Sequence, residues 1–204
     1  EYLPGLRPPL EAQLIDLADE VAYNTADLDD GYAAGMFGMG DVAAAAPEYA
    51  EILAAVEEEF PGASERMRFQ EALRRLIDTL VGGLIEGTAA AAQAAGLRNV
   101  DDVRRHPSRV ACFSPRARSL SAGLKAFLHR NLYASKPLLR ERERVRAMLA
   151  ELFQFYLERP DRLPPPYGEQ AAAGPVHRVV CDYIAGMTDG FFRRTYRRVL
   201  KRGG

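Results

Sequence analysis

The sequence predicts an all-α fold, built as a multi-helix bundle, on three observations. Apolar side chains recur at intervals of three and four residues along most of the 204-residue chain, and no alternating strand pattern of useful length occurs. With 48% hydrophobic residues, the chain can bury a core, which argues against disorder. We therefore expect a single helical domain over residues 1–204, with a first helical segment in 1–35 and a helical region in 36–204.

Three helices are predicted in the first half. The first covers residues 11–35, after two prolines, and ends in the glycines of GMFGMG. The second covers 47–61, because proline is favoured in a first turn. Ser64 can cap the third, which runs over 64–96 although Gly82-Gly83 would weaken it. Its apolar stripe comprises Leu73, Leu76, Ile77, Leu80, Val81, Leu84 and Ile85.

The second half continues this helical pattern. A short helix is predicted over 99–105. A second is predicted from about residue 115 or 119 to Tyr133, and a long third helix begins at Pro137. Residues 158–170 contain too many prolines for a continuous helix and are expected to form a connection. The last helix is predicted to begin at Pro175, to reach about residue 200 and to end in a basic tail.

Composition also indicates the cellular environment that suits this chain. No apolar run approaches the ~20 residues that span a bilayer, and no signal peptide is visible, so we expect no membrane association. Cys112 and Cys181 are too few for a disulfide scaffold, which favours a reduced, cytoplasmic protein with packed cysteines. Because the chain begins at Glu1 rather than Met, we expect it to be a piece of a longer protein.

Charge is divided unevenly along the chain, although the formal net charge is −1. Residues 1–60 carry 14 acidic side chains and one basic one, whereas residues 61–204 carry 14 acidic and 26 basic side chains. Arginine, whose planar fork suits phosphate, supplies 24 of the 27 cations. This division would suit a metal-plus-phosphate site, and it would equally suit an acidic helix docked on a basic surface.

The first helix contains the most informative spacing. Asp19, Tyr23 and Asp27 lie four residues apart, which places them along nearly one face, with about 12 Å between the two carboxylates. Such a line could span a nucleotide, with Asp19 on a divalent metal at the phosphates, Tyr23 against the sugar and Asp27 accepting a hydrogen bond from a sugar hydroxyl. The alternative is a solvated acidic face, since other carboxylates lie nearby.

Several strings resemble bacterial deoxyguanosinetriphosphate triphosphohydrolase-like proteins of the HD-domain phosphohydrolase superfamily. The first is EAQLIDLADEVAYNTADLDDG at 11–31, with its E-x-Q element before the Asp-Tyr-Asp line, and the second is CDYIAGMTDGF at 181–191. RRLIDTLVGGLIE at 74–86, LKAFLHRNLY at 124–133 and LFQFYLERPDRLPPPY at 152–167 are also similar. The resemblance covers nearly the whole chain and implies an HD-domain-like bundle.

The resemblance also implies a metal site that this chain does not complete. In the superfamily the site takes a His, an adjacent His-Asp pair and a later Asp, which Asp19 matches. None of the three histidines precedes an Asp. We therefore expect the C-terminal portion of the enzyme, with one ligand of a divalent ion (Mg²⁺, Mn²⁺ or similar), with Tyr23 and Asp27 binding substrate and with no certain catalytic residue. Arg66 and Arg68, at the start of the third predicted helix, are further candidates for substrate contacts.

The function implied for the intact protein is hydrolysis of a deoxynucleoside triphosphate to deoxynucleoside and inorganic triphosphate. We also expect the intact protein to form a homo-oligomer. This chain alone is expected to be inactive. An alternative of another class is a non-catalytic helical module for oligomerisation or nucleotide-controlled regulation. A third is single-stranded DNA binding, for which the basic segment 193–202 is the support.

Overall fold

A computed structural model describes residues 4–200 and confirms the all-α prediction. Ten α-helices and no strand occur in these residues, with a π-helical turn at His129–Tyr133 and a 3₁₀ turn at Pro160–Arg162. The helices are α1 (Leu10–Ala33), α2 (Met39–Ala45), α3 (Pro47–Glu59), α4 (Glu65–Ala94), α5 (Val100–Arg105), α6 (Pro115–Leu128), α7 (Lys136–Glu158), α8 (Tyr167–Ala173), α9 (Val176–Ala185) and α10 (Asp189–Leu200).

Local signals explain several helix boundaries. The Ser64 hydroxyl accepts a hydrogen bond from the Met67 N–H at the start of α4, and the Asn99 side chain caps α5 in the same way. Gly35 and Gly96 follow the ends of α1 and α4 with positive φ angles of 65° and 64°, a conformation that glycine adopts without steric cost.

Three elements differ from the sequence prediction. The helix expected from residue 175 to 200 is two helices, because the chain leaves α9 at Gly186 and restarts at Asp189. A short helix, α2, begins at Met39, within the string GMFGMG at which the first predicted helix ends, and α8 occupies part of the predicted connection. Burial explains both short helices, since Val42 of α2 is fully buried and Ala171 of α8 is 6% exposed.

The chain divides into two compact units, a first unit up to Ser135 and a second from Lys136 onward. In the first unit, α4 and α6 form the centre, and α1, α2 and α3 pack around them. Its core includes the fully buried Phe69, Leu76 and Leu120. Each unit has its own hydrophobic core, which is a finer division than the single domain expected from the sequence.

Glycines allow α4 to approach its neighbours closely. A Cβ added at Gly87 would lie 2.4 Å from the carbonyl carbon of Phe113, and one at Gly83 would lie 2.2 Å from the Ala117 Cβ. Both distances are far below van der Waals contact, so only glycine fits at these positions. α4 nevertheless continues unbroken through the Gly82-Gly83 pair.

In the second unit, α7, α8 and α9 pack around aromatic side chains. The rings of Tyr156 and Tyr183 meet edge to face with centroids 5.4 Å apart, and Tyr167 packs 4.9 Å from Tyr183. Cys181 is exposed, contrary to the packed position predicted for it, whereas Cys112 of the first unit is half-buried. Among residues 4–200, none of the helices combines the length and apolarity needed to cross a membrane.

Candidate functional site

The three candidates on α1 occupy one uninterrupted helix but do not face the same surroundings. Asp19 is exposed and makes no hydrogen bond or ion pair with the described residues, and Tyr23 is 64% exposed. Asp27 is half-buried. Each four-residue step advances the helix by slightly more than a turn, so Asp27 is rotated about 80° from Asp19. This drift turns Asp27 toward the π-helical turn.

Asp27 is held by a residue far away in the sequence. The Tyr133 phenol donates a hydrogen bond to Oδ2 of Asp27, across 106 positions of the chain. Burial, and then this hydrogen bond, raise the pKa of Tyr133 to about 12, so the phenol keeps its proton at neutral pH. Because a carboxylate can accept several hydrogen bonds, Oδ1 of Asp27 keeps the capacity to accept another.

On the edge of α1 that faces α6, Glu20 forms an ion pair with Lys125. Glu20 accepts hydrogen bonds from Lys125 Nζ at 2.9 Å and from the Ser121 hydroxyl at 3.0 Å. The bond from Lys125 is the largest factor that lowers the pKa of Glu20. A cation of α6 therefore lies beside the residue that follows Asp19.

The other edge of α1 forms an open apolar groove with α4. Its volume is about 450 Å³, and its walls include Ala18 and Ala22 of α1. On the α4 side, Ile77 and Val81 line the groove and are 36% and 42% exposed. Ile85, about one turn further along α4, is 65% exposed. The predicted apolar stripe of α4 is thus split, because its other four members are buried and these three face solvent.

Arg66 and Arg68 lie at the beginning of α4 and line a different groove of about 690 Å³, together with Phe60 and Met67. Arg68 is half-buried and lies 3.9 Å from Glu57.

The position of that groove follows from the packing of α1 on α4. Gln70 donates a 2.8 Å hydrogen bond to Asp29, and Tyr32 stacks on Phe69, so the start of α4 meets the end of α1. Asp19 precedes Asp29 by ten residues, about 15 Å along the helix. The two arginines therefore lie toward the Asp27 end of the line, and the structure does not bring them to Asp19.

No three His, Cys, Asp or Glu side chains converge on a point that could hold a metal ion within residues 4–200. Asp19 offers an exposed carboxylate, which is an oxygen ligand suited to Mg²⁺ or Mn²⁺. One carboxylate does not fix a catalytic metal, since such sites use several protein ligands. The described residues therefore supply a ligand of the type that a divalent ion prefers, but too few ligands to bind the ion on their own.

Sequence reasoning missed Tyr133 and Lys125 as partners of the α1 carboxylates. Their contacts join residues more than a hundred positions apart, and no local spacing signals such pairs. The resemblance of residues 124–133 to a family string was the one available signal, because both partners lie within it.

Comparison with known proteins finds a family model that matches the second half of the chain and relatives that match almost all of it. Residues 111–198 match the phosphohydrolase-associated domain. The chain is 40% identical over 199 residues to a deoxyguanosinetriphosphate triphosphohydrolase-like protein of Ralstonia nicotianae, covering 98% of this chain and 51% of the relative. Proteins of the same name from Azoarcus sp. and Geobacter sulfurreducens are 38% and 36% identical, over 99% and 98% of this chain and 52% of each relative.

These relatives confirm the resemblance inferred from the α1 line and the other strings. The chain spans about half the length of the curated relatives it matches. Over almost its whole length, the chain is similar in sequence to deoxyguanosinetriphosphate triphosphohydrolase-like proteins, and it contains the phosphohydrolase-associated domain.

Proposed function

We propose that the whole protein hydrolyses a deoxynucleoside triphosphate to the deoxynucleoside and inorganic triphosphate, and that this chain supplies part of the substrate site. One observation carries the proposal. Asp19 and Tyr23 are exposed and adjacent on α1, whereas the neighbouring carboxylates of Glu20 and Asp27 are engaged by α6 and the π-helical turn. The names of the relatives support the reaction class.

In this proposal Asp19 is one ligand of a divalent ion. When bound, the ion would polarise a phosphate oxygen and lower the pKa of the attacking water. In this proposal the other ligands come from outside residues 4–200, where no group of three His, Cys, Asp or Glu side chains could hold a metal ion. The exposed side chains of Ile77, Val81 and Ile85 support this arrangement. They offer an apolar surface against which a further segment could pack, such as the half of the relatives that this chain does not match.

Asp27 and Tyr23 bind the sugar end of the substrate. Tyr133 fixes one oxygen of Asp27, which leaves the other oxygen to accept a hydrogen bond from the sugar 3′-hydroxyl. Tyr23 presents a largely exposed ring one turn away. Arg66 and Arg68 lie toward this same end, which makes them candidates for contacts to the nucleotide beyond the sugar.

The alternative is a non-catalytic helical module that mediates oligomerisation or nucleotide-controlled regulation. The same exposed apolar line on α4 favours it, because a second copy of the chain could cover that surface. Self-association is also compatible with the enzyme.

Turnover separates these proposals. Each purified protein, this chain and the whole protein, is incubated with the four deoxynucleoside triphosphates and Mg²⁺, Mn²⁺ or Co²⁺, and deoxynucleoside and triphosphate are measured by chromatography. We expect both products in equal amounts from the whole protein and none above a buffer blank from this chain. Turnover by this chain alone would contradict the incomplete site. An inactive whole protein would favour the helical module.

A further inference from the structure

The second unit contains an arginine-lined cleft at the end of α7. Its volume is about 420 Å³. Three of the six residues that line it are arginines and none is acidic. The lining residues are Phe155, Tyr156, Arg159, Arg162, Arg198 and Val199.

In a second cleft of the same unit, carboxylates of the protein lie beside the arginines. This cleft is also lined by three arginines, one of which, Arg193, forms a 2.7 Å ion pair with Glu141. Arg144 lies 3.7 Å from the same glutamate, and Glu151 forms part of the cleft wall, where it accepts a hydrogen bond from Tyr196. Carboxylates of the protein therefore balance the cations there.

The cleft at the end of α7 lacks this balance. Within residues 4–200 its arginines have one ion pair, between Arg162 and Asp161 at 3.7 Å. The two side chains are 70% and 78% exposed, and such pairs contribute little. The guanidinium groups of Arg159, Arg162 and Arg198 donate no hydrogen bond to another described residue. Three like charges around one cleft repel each other, and an anion between them would relieve this repulsion.

Aromatic packing at the cleft limits the shape of that anion. The Arg159 guanidinium lies over the Phe155 ring, 5.0 Å from its centroid, which holds the cation at the cleft and covers that ring face. Tyr156 is 1% exposed. Tyr156 is therefore closed to a nucleobase and one face of Phe155 is occupied, which disfavours a single-stranded nucleic acid site built on base stacking.

We propose that this cleft binds a compact phosphate-bearing anion, through the guanidinium groups of Arg159, Arg162 and Arg198. Arginine is suited to this role because its planar fork donates paired hydrogen bonds to phosphate oxygens. The anion is either inorganic polyphosphate or the phosphates of a nucleotide. The site lies in the second unit and is independent of the hydrolysis proposed for α1.

The test is calorimetric titration of this chain with inorganic tripolyphosphate at low salt, with EDTA present to exclude metal ions. The variant carries Arg162→Gln and Arg198→Gln together, which removes two of the cations and leaves Arg159 on Phe155. The control is Arg178→Gln, which removes an exposed arginine paired with Asp182 on α9 at 3.3 Å. Circular dichroism compares the folding of all three proteins.

We expect tripolyphosphate to bind the wild type, to bind the double variant at least about tenfold more weakly and to bind the control within about twofold of the wild type. A nucleotide arm with dATP identifies the source, because tighter binding of dATP than of tripolyphosphate would indicate a nucleotide. An equal loss in the control, or no binding by the wild type, would overturn the site. A tight complex with a thymidine oligonucleotide but not with tripolyphosphate would overturn it in favour of nucleic acid.

Discussion

The first unit has a paired side and an open side, and α1 borders both. Toward α6 and the π-helical turn, the carboxylates of Glu20 and Asp27 are bound by Lys125 and Tyr133. Toward α4, small and branched apolar side chains line a groove that is open to solvent. Asp19, between them, has no partner in the described residues. The carboxylates on one side of α1 therefore have partners within this chain, whereas the groove on the other side is uncovered. The predictions below test each side.

The largest effect is expected at Asp19, in the whole protein. Asp19→Ala should lower turnover at least roughly 100-fold, because changes outside the direct ligands alone cost 10–100-fold in metal sites. The free energy of unfolding should change by less than about 0.5 kcal/mol, since the side chain is exposed and alanine favours helix. Steady-state kinetics and urea unfolding measure the two quantities.

The matched control is Asp30→Ala, which removes another exposed carboxylate from the same helix. It should leave turnover unchanged. If Asp19→Ala were as active as this control, Asp19 would belong to a solvated acidic face.

Asp27 tests the paired side. Asp27→Ala should lower kcat/KM by roughly ten- to a hundredfold, the equivalent of about 1.5–3 kcal/mol for a lost charge-assisted hydrogen bond. The loss should be much smaller on a 2′,3′-dideoxynucleoside triphosphate, which lacks the partner hydroxyl. Kinetics of both proteins on both substrates form a double-mutant cycle.

Tyr133→Phe is the companion variant, because it removes the phenol and leaves the carboxylate of Asp27 in place. It should lower kcat/KM by less than about tenfold, as expected for one hydrogen bond. Equal losses on the two substrates for Asp27→Ala would mean that Asp27 does not contact the sugar hydroxyl.

Two glycines of α4 test how far close packing extends. Gly87→Ala should destabilise the chain by about 1–3 kcal/mol, because its Cβ would meet the backbone of Phe113 and Ser114 at 2.4 Å. Gly82→Ala, where no atom lies within 4 Å of the new Cβ, should stabilise it by roughly 0.5–1 kcal/mol. Urea unfolding of both variants gives the comparison. Changes of the same sign would show that Gly87 does not mark a close contact.

The smallest effect concerns the charge pair of Glu20. Because Lys125 lowers the pKa of Glu20 below 4.5, the pair stabilises the fold above that pH and the contribution is lost as pH falls through the lowered pKa. Glu20→Gln should therefore lower Tm at pH 7 by about 1–3 °C. The difference from wild type should shrink below pH 4. The control Glu58→Gln, at an exposed position of α3, should show no such pH dependence.

The sequence predicted what depends on neighbouring residues. Ser64 and Asn99 begin helices as capping residues do, and the i+4 spacing placed Asp19 and Tyr23 together on one exposed face. It could not predict the partner of Asp27, because Tyr133 reaches it through tertiary packing. The break between α9 and α10 was also missed, since the apolar pattern of residues 175–200 continues across Gly186.

The π-helical turn at residues 129–133 has a consequence for how relatives of this chain are aligned. Its hydrogen bonds span five residues rather than four, as between the Ala134 N–H and the His129 carbonyl, so it acts as a one-residue insertion in the helix. In an uninterrupted α-helix, a shift of one position rotates a side chain by about 100°. Whether a tyrosine reaches Asp27 therefore depends on the number of residues after Phe127 as well as on their identity. A homologue that keeps the tyrosine but lacks one residue of the turn would direct a different side chain at α1.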